Sequence, residues 1–562
     1  MSQEQVTYFG IDLGTTYSAI SYIDETGRPT VVRDVIAESD TMPSVVYFES
    51  ADNVIIGANA RNMARIDPEN VVERVKRQMG RERQWEFFGT TQNPASISAL
   101  ILRRLADYAQ EYTQREVKQV VITVPAYFGM LERDATRNAG TIAGLDVIGI
   151  VPEPVAAALQ YEMIGDATEK TVLVYDLGGG TFDTTVIRVT AGAIEVLCTD
   201  GDQELGGTDW DDRLVQHLLQ EFTAAANPTE DPAEDAQFMQ ELIITAEQVK
   251  RALSQVSSRP VPLRFAGASA VVTVTRETFE EITRDLLDNT IAITDRTLGK
   301  LGDKSGSGSP KDLIDEVLLV GGSTKMPAVS ARLTETYGWR PHLHDPDLAV
   351  AKGAARYALS RAVWRSDDTA GADSTPPSAS ERAERINTLA GLTGLAPEAI
   401  AQVSEKRITT VLPKAFGVRL VDASKPDYDE SNPEASFYIA HMVHADDPLP
   451  SGPHRLDALT LVDNQQAVEV VVYEQAGTVE SPDLFANKPV DKGAGLISGL
   501  PRLPRHSPLL ITMTVNEDGL LTVHAVEPGS GRDLTIEVRV STLTEEEIPQ
   551  LRAMVSAIAV RS

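Results

Sequence analysis

The chain has 562 residues, 42% apolar and 24% charged, a length and balance suited to about three or four units that each bury a core. Its 82 acidic side chains outnumber 51 basic ones for a net charge of -31, which repels nucleic acid and anionic lipid and counts against both as partners. Cys198 is the only cysteine, which excludes an intrachain disulfide and a Cys-based zinc site; the opening MSQEQVTYFG has no basic-then-apolar pattern and no apolar run reaches membrane-spanning length, so the expectation is a cytoplasmic protein.

The first predicted strand runs into FGIDLGTTYSAI, residues 9–20, where Asp12, Gly14, Thr15 and Thr16 separate two apolar β runs. From residue 6 to about 363, β runs such as VVITV and TVLVYDL alternate with helical patterns such as SALILRRLADYAQEYT and DDRLVQHLLQEF, which predicts an α/β architecture. Midway lies VYDLGGGTFDTTV, residues 174–186, with Gly178, Gly179 and Gly180 between two strand-like runs and Asp176 and Asp183 flanking them. A two-residue hairpin turn needs only one glycine. One reading is a loose, solvated hairpin. The other is that bare N–H groups in a tight turn form a concave donor surface for phosphate oxygens, with a carboxylate holding magnesium through its waters. The near copy at residues 9–20, about one domain's length away, favours the second and points to a duplicated half.

Residues 365–380, RSDDTAGADSTPPSAS, read as a flexible linker, followed by two short helical patterns, SASERAERINTLAG and APEAIAQVSEKR, the second opened by Pro397. From about 409 to 541 the period switches to two, in SFYIAHMV, AVEVVVYEQ, LLITMTV, LLTVHAV and LTIEVRV, with turns at Asn516–Gly519 and Gly529–Gly531, which predicts a small antiparallel β-domain. The tail, STLTEEEIPQLRAMVSAIAV, is a helix capped by Thr542 or Thr544.

GIDLGTTYSAI, VITVPAYF, VPEPVAAAL, VYDLGGGTFD, ELGGTDWD and VGGSTKMP occur in order over most of residues 8 to 360, and by them the chain resembles the DnaK-type molecular chaperones, the seventy-kilodalton heat-shock family. VLPKAFGV, DNQQAVEVVVYEQ and NEDGLLTVHAVEPGSG extend the resemblance to about 541. It implies a two-lobed actin-like ATPase domain over 1–363, a linker with a helical insertion over 364–408, a peptide-binding β-sandwich over 409–541, and at 542–562 one helix of a truncated lid.

The resemblance also implies roles. Gly14, Thr15, Thr16, Gly178, Gly179 and Gly180 would cradle the phosphates of ATP or ADP, Tyr17, Gly206 and Gly207 would also bind the nucleotide, and Asp12 and Asp176 would fix Mg2+ through water. Lys76, Glu153, Thr181 and Asp183 would serve hydrolysis, with Pro125 and Arg133 as a relay coupled to Glu153. Read without the family, Lys76 is a solvated helix lysine and Glu153 a helix-start acid. Gly321, Gly322, Ser323, Lys325 and Asp347, with Glu247, Lys250 and Ser254 from AEQVKRALS, would line the nucleoside. Val468 would form the central peptide pocket with Val470 beside it and Leu461 and Val421 arching over, although each also reads as sandwich core.

The expected function is thus an ATP-hydrolysing chaperone that binds exposed apolar segments of unfolded proteins; the alternative is a slowly hydrolysing regulatory module that docks a dedicated partner. A sugar kinase on the same lobes leaves the β-domain without a role, and like charge disfavours an actin-like filament. The chain departs from the family pattern at Lys325, where an arginine usually stacks on adenine. Gly149 and Pro152 replace polar residues of the usual J-domain docking surface, which counts against that cochaperone, while a nucleotide-exchange factor stays compatible.

Overall fold

The computed structural model describes all residues except 1–5, 35–36, 162–168, 306–307, 365–376, 427, 478, 517–518, 539–542 and 562. Most of the expected 365–380 linker, the centre of the 516–519 turn and Thr542 therefore lie outside the described residues.

Two sheets of the same topology form the first part of the chain. In lobe I the strands run Asp146–Pro152, Gln119–Val124, Tyr8–Asp12, Tyr17–Ile23, Pro29–Val31; in lobe II, His342–Leu343, Glu316–Val320, Lys170–Leu177, Phe182–Val189, Ala193–Asp202, Arg407–Thr409. Each lobe has a central strand that turns through its glycine motif into an antiparallel neighbour and takes a later strand parallel on its other side. This repeated path is the structural form of the duplication legible in the two motifs. The antiparallel hairpin register pairs Asp176 with Asp183 across the Gly178–Gly180 turn.

Each lobe has its own apolar core, and a third cluster joins their bases through the helices Glu153–Tyr161 and Ala349–Trp364. The approach is so close that a Cβ on Gly353 would fall 1.7 Å from the Ala156 carbonyl oxygen, so only glycine fits there. The insertion adds to this third core. Helix Ala379–Thr393, capped by Ser378 and Glu381, and helix Pro397–Val403 bury Leu389, Ile400 and Val403 against residues of both lobes, and the Val6 N–H donates to the Leu392 carbonyl at 3.0 Å. The chain then adds Arg407–Thr409 as a parallel edge strand to lobe II before it enters the β-domain.

That domain is a sandwich of two four-stranded sheets, Phe437–Val443, Phe416–Val421, Gln465–Gln475, Asn487–Leu503 against Ser451–Leu459, Pro508–Val515, Leu521–Glu527, Arg532–Val538. Alternation fills its core with Val418, Val470, Val472, Ile511, Met513 and Val523. The sandwich rests on both lobes. Met130 of lobe I joins its core, and buried Asp446 accepts from the Thr199 N–H at 3.1 Å while Lys304 donates to its carbonyl at 3.0 Å.

The tail goes elsewhere than a lid would. Helix Glu547–Ala557 packs on lobe I, where Leu543, Val555 and Ile558 enter the apolar core, and strand Ala559–Arg561 pairs in parallel with Asn53–Ile56. Arg103 fixes the junction by donating to the Val555 and Ile558 carbonyls at 2.6 and 2.9 Å. No helix among the described residues is long and apolar enough to cross a membrane.

Candidate functional site

The two glycine turns meet beside a cleft of about 420 Å³ between the lobes. Their contact explains the missing side chains in part: a Cβ on Gly179 would lie 2.2 Å from the Thr16 hydroxyl, and one on Gly180 would lie 2.4 Å from Thr15. Among the described residues nothing accepts from the backbone N–H groups of Thr15, Thr16, Gly179 or Gly180. Two turns pressed together thus present their donors to the cleft, a concave surface for an anion.

Gly206 and Gly207 support this floor from behind. The Gly207 and Thr208 N–H groups donate to the carbonyls of Gly178 and Gly179 at 2.9 and 2.8 Å, the Ser323 hydroxyl donates to Gly178 at 2.9 Å, and Arg77 donates to Gly180 at 2.8 Å. Gly180, Gly206 and Gly207 do not themselves line the cleft; Gly14, Thr15, Thr16, Tyr17, Gly178, Gly179 and Thr181 do.

Below the turns, carboxylates outnumber cations. Asp12, Asp176, Asp183 and Glu153 surround the buried Lys76, whose ammonium pairs with Glu153. Burial, and then the Glu153 charge, push Asp12 up to about 7 and Asp183 up to about 8; the same two causes hold Asp176 well above the usual carboxylate range. Burial alone would pull Lys76 down, but Glu153 and Asp12 overcome it and hold the ammonium above its ordinary value. Lys76 therefore stays charged. Asp12 accepts from the Thr123 hydroxyl at 3.0 Å, whereas Oδ2 of Asp176 and Oδ2 of Asp183 are buried with no partner among the described residues. An excess of buried carboxylate with unused oxygens suits a hydrated divalent cation. Asp183 sits behind the cleft wall, where it accepts from the Tyr127 N–H at 3.0 Å.

At the open end of the cleft, Glu247, Lys250, Ser254, Gly321, Gly322, Ser323, Lys325 and Asp347 converge. Lys325 pairs with Asp347, and Lys250 donates to Asp211 at 2.9 Å and to the Gly207 carbonyl at 2.7 Å. Residues absent from the sequence-based set also appear. Arg61, from lobe I, pairs with Glu247 of lobe II and with the Tyr17 hydroxyl; Arg251 lies 4.9 Å over the Tyr17 ring; Thr208 and Asp211 line the wall. Arg251 directly follows Lys250 and stands at i+4 from Glu247, and Thr208 and Asp211 lie within ELGGTDWD, so a local signal existed for these three. Arg61 had none.

The remaining expected positions lie outside the cleft. Arg133 is partly buried, its guanidinium lowered to about 10 by loss of hydration, and it donates to the Phe128 and Ala126 carbonyls at 2.9 and 3.3 Å, bracing the Pro125–Phe128 turn that supplies the Tyr127 donor to Asp183. In the sandwich Val470 is core, Val468 is partly buried against the same core, and Leu461 is half-buried in the loop between two strands, its N–H held by Gln465 at 2.8 Å.

The chain matches a family model described as Hsp70 protein over residues 8–92 and 83–376. Curated relatives named chaperone protein DnaK, from Thermotoga petrophila, Thermotoga maritima and Thermotoga neapolitana, are each 32% identical over 561 residues, covering 98% of this chain and 83% of theirs.

Proposed function

This chain belongs to the Hsp70 family and is an ATP-dependent chaperone, an ATPase that binds unfolded client segments, and from that premise we propose how its residues divide the work. The N–H groups of Thr15, Thr16 and Gly179, which line the cleft without an acceptor among the described residues, would hold the nucleotide phosphates, and this feature carries the reading. Asp12 and Asp176 would hold magnesium through its waters, Asp176 with an oxygen that has no partner among the described residues. Bound there, the ion would neutralise phosphate charge. Lys76, kept protonated by Glu153 and Asp12, would place positive charge beside the transferring phosphoryl group, where the transition state needs electrostatic stabilisation more than covalent chemistry. Thr181 lines the same wall, and Asp183 ties that wall through Tyr127 to the turn braced by Arg133.

Lys325, Asp347, Glu247 and Ser254 would enclose the nucleoside. Arg251 is positioned to supply a planar cation there, which compensates for lysine at position 325. In the sandwich, Val468 and Leu461 are proposed as peptide contacts, and Val470 as their support. The insertion helices cover the base of both lobes, and together with Gly149 and Pro152 they count against a J-domain partner, while an exchange factor acting on the lobes is compatible with the fold. The regulatory module is not favoured.

Single-turnover ATP hydrolysis, with and without an apolar peptide and with and without Mg2+, tests the assignment. Expected are Mg2+-dependent hydrolysis and acceleration by peptide. Hydrolysis indifferent to Mg2+ would remove Asp12 and Asp176 from their proposed role.

A further inference from the structure

Thr208 has features that no role assigned so far requires. It is the second residue of the 20-residue helix Gly207–Ala226, and its backbone N–H is used to hold the Gly179 carbonyl at 2.8 Å. Its side chain is 3% exposed and lines the cleft, yet its hydroxyl has no partner among the described residues. A buried hydroxyl without a partner destabilises a fold, because its hydration is lost and nothing replaces it. Core packing alone would be served better by valine.

The electrostatics around it fix the kind of partner. A helix start carries positive potential from its aligned peptide dipoles, even where, as at Gly207 and Thr208, the first N–H groups are themselves paired. Three acids on the first turns could cancel it, but Asp209 pairs with Arg77 at 2.5 Å, Asp211 with Lys250 at 2.9 Å, and Asp212 with Arg74 at 3.2 Å. The helix start beside Thr208 thus meets the cleft with neutralised acids and an unused hydroxyl. That setting favours an anion at Thr208, while Asp211, one turn on, keeps only its Oδ1 without a partner among the described residues.

We propose that Thr208 is a nucleotide-binding residue whose Oγ1 donates a hydrogen bond to a phosphate oxygen of the bound nucleoside diphosphate or triphosphate. The inference rests on reading the cleft as the nucleotide site. It makes the start of helix Gly207–Ala226 a third phosphate-facing element beside the two glycine turns.

Calorimetric binding of ADP and of adenosine to the full chain, for the parent, Thr208→Val and Thr208→Ser, tests it. Valine keeps the shape and removes the donor. A hydrogen bond to a charged group implies that ADP affinity falls about tenfold or more in Thr208→Val and returns to within about threefold of the parent in Thr208→Ser. Adenosine, which has no phosphate, should bind the parent and Thr208→Val alike. The melting temperature of nucleotide-free Thr208→Val should equal or exceed the parent's, since the unpaired hydroxyl is gone; if valine is not tolerated, Thr208→Ala takes its place in the same comparison. Unchanged ADP affinity overturns the proposal, and so does an equal loss for ADP and adenosine, which would mark a packing role. A parent that binds no ADP overturns instead the reading of the cleft on which the proposal stands.

Discussion

At the scale of single residues, Lys76 is the one buried cation among four buried or half-buried carboxylates, and its loss has two separable consequences. Lys76→Met removes charge from the transition state, so hydrolysis should fall about a hundredfold to a thousandfold while ATP stays bound. It also leaves Glu153 buried without its cation, so the fold should weaken, and Lys76→Met with Glu153→Gln should regain stability but not hydrolysis. Single-turnover rates and thermal melts of both variants check this; hydrolysis at the parental rate would take Lys76 out of the mechanism. The carboxylates give a pH signature. Because burial raises Asp12 to about 7 and Asp183 to about 8, the folded protein holds protons that the unfolded chain has released. Their contribution to stability is full below about pH 4 and is lost as pH rises through about 7 and then about 8. The melting temperature without nucleotide should therefore fall across that window, and the gain from Mg2+ and ADP should grow with pH, since charged carboxylates hold the ion's waters. A scanning calorimetry series in which the gain shrinks with rising pH would contradict this account.

Among elements, the sandwich separates residues that the sequence could not. Val468 and Val470 alternate onto one face of strand Gln465–Gln475, and period two says nothing about where that face meets core and where it meets a cleft. The structure makes Val470 core and leaves Leu461 on a loop outside every core cluster among the described residues. Val470→Ala should thus cost about 1.5 to 3 kcal/mol of stability. Leu461→Ala should cost little and speed release of a fluorescent apolar peptide about threefold to tenfold. Equal release rates in the parent and Leu461→Ala would leave Leu461 without a place at the cleft. The glycine turns, by contrast, were legible, because their chemistry is local: an Asp, bare backbone and threonines in sequence order build most of the floor proposed for the phosphates. Thr208 escaped because a threonine at a helix start looks ordinary until its hydroxyl is seen to lack a partner. Arg61 escaped because its partner Glu247 lies in the other lobe, and such pairing leaves no trace in either segment.

For the whole molecule, the tail is the largest departure from what the sequence suggested. A capped amphipathic helix after a β-domain reads as a lid, and nothing in its pattern distinguishes the surface of the sandwich from that of lobe I. Its apolar face lies on lobe I, with Val555 fully buried. Val555→Asp should then lower the stability of lobe I by about 3 to 5 kcal/mol, visible in thermal melts and in hydrogen exchange of strand Asn53–Ile56. If the helix acted over the sandwich instead, the same variant would speed peptide release and leave that strand protected. The two edge strands, Arg407–Thr409 on lobe II and Ala559–Arg561 on lobe I, bracket the sandwich at both its ends. A sandwich that leaves its seat on Thr199, Lys304 and Met130 is consequently confined as a closed loop, and it meets that seat again at an effective concentration on the order of millimolar, as for short tethers. Reseating becomes a search within a small volume whose rate is indifferent to protein concentration, and a client segment threaded through that loop must contend with two anchors.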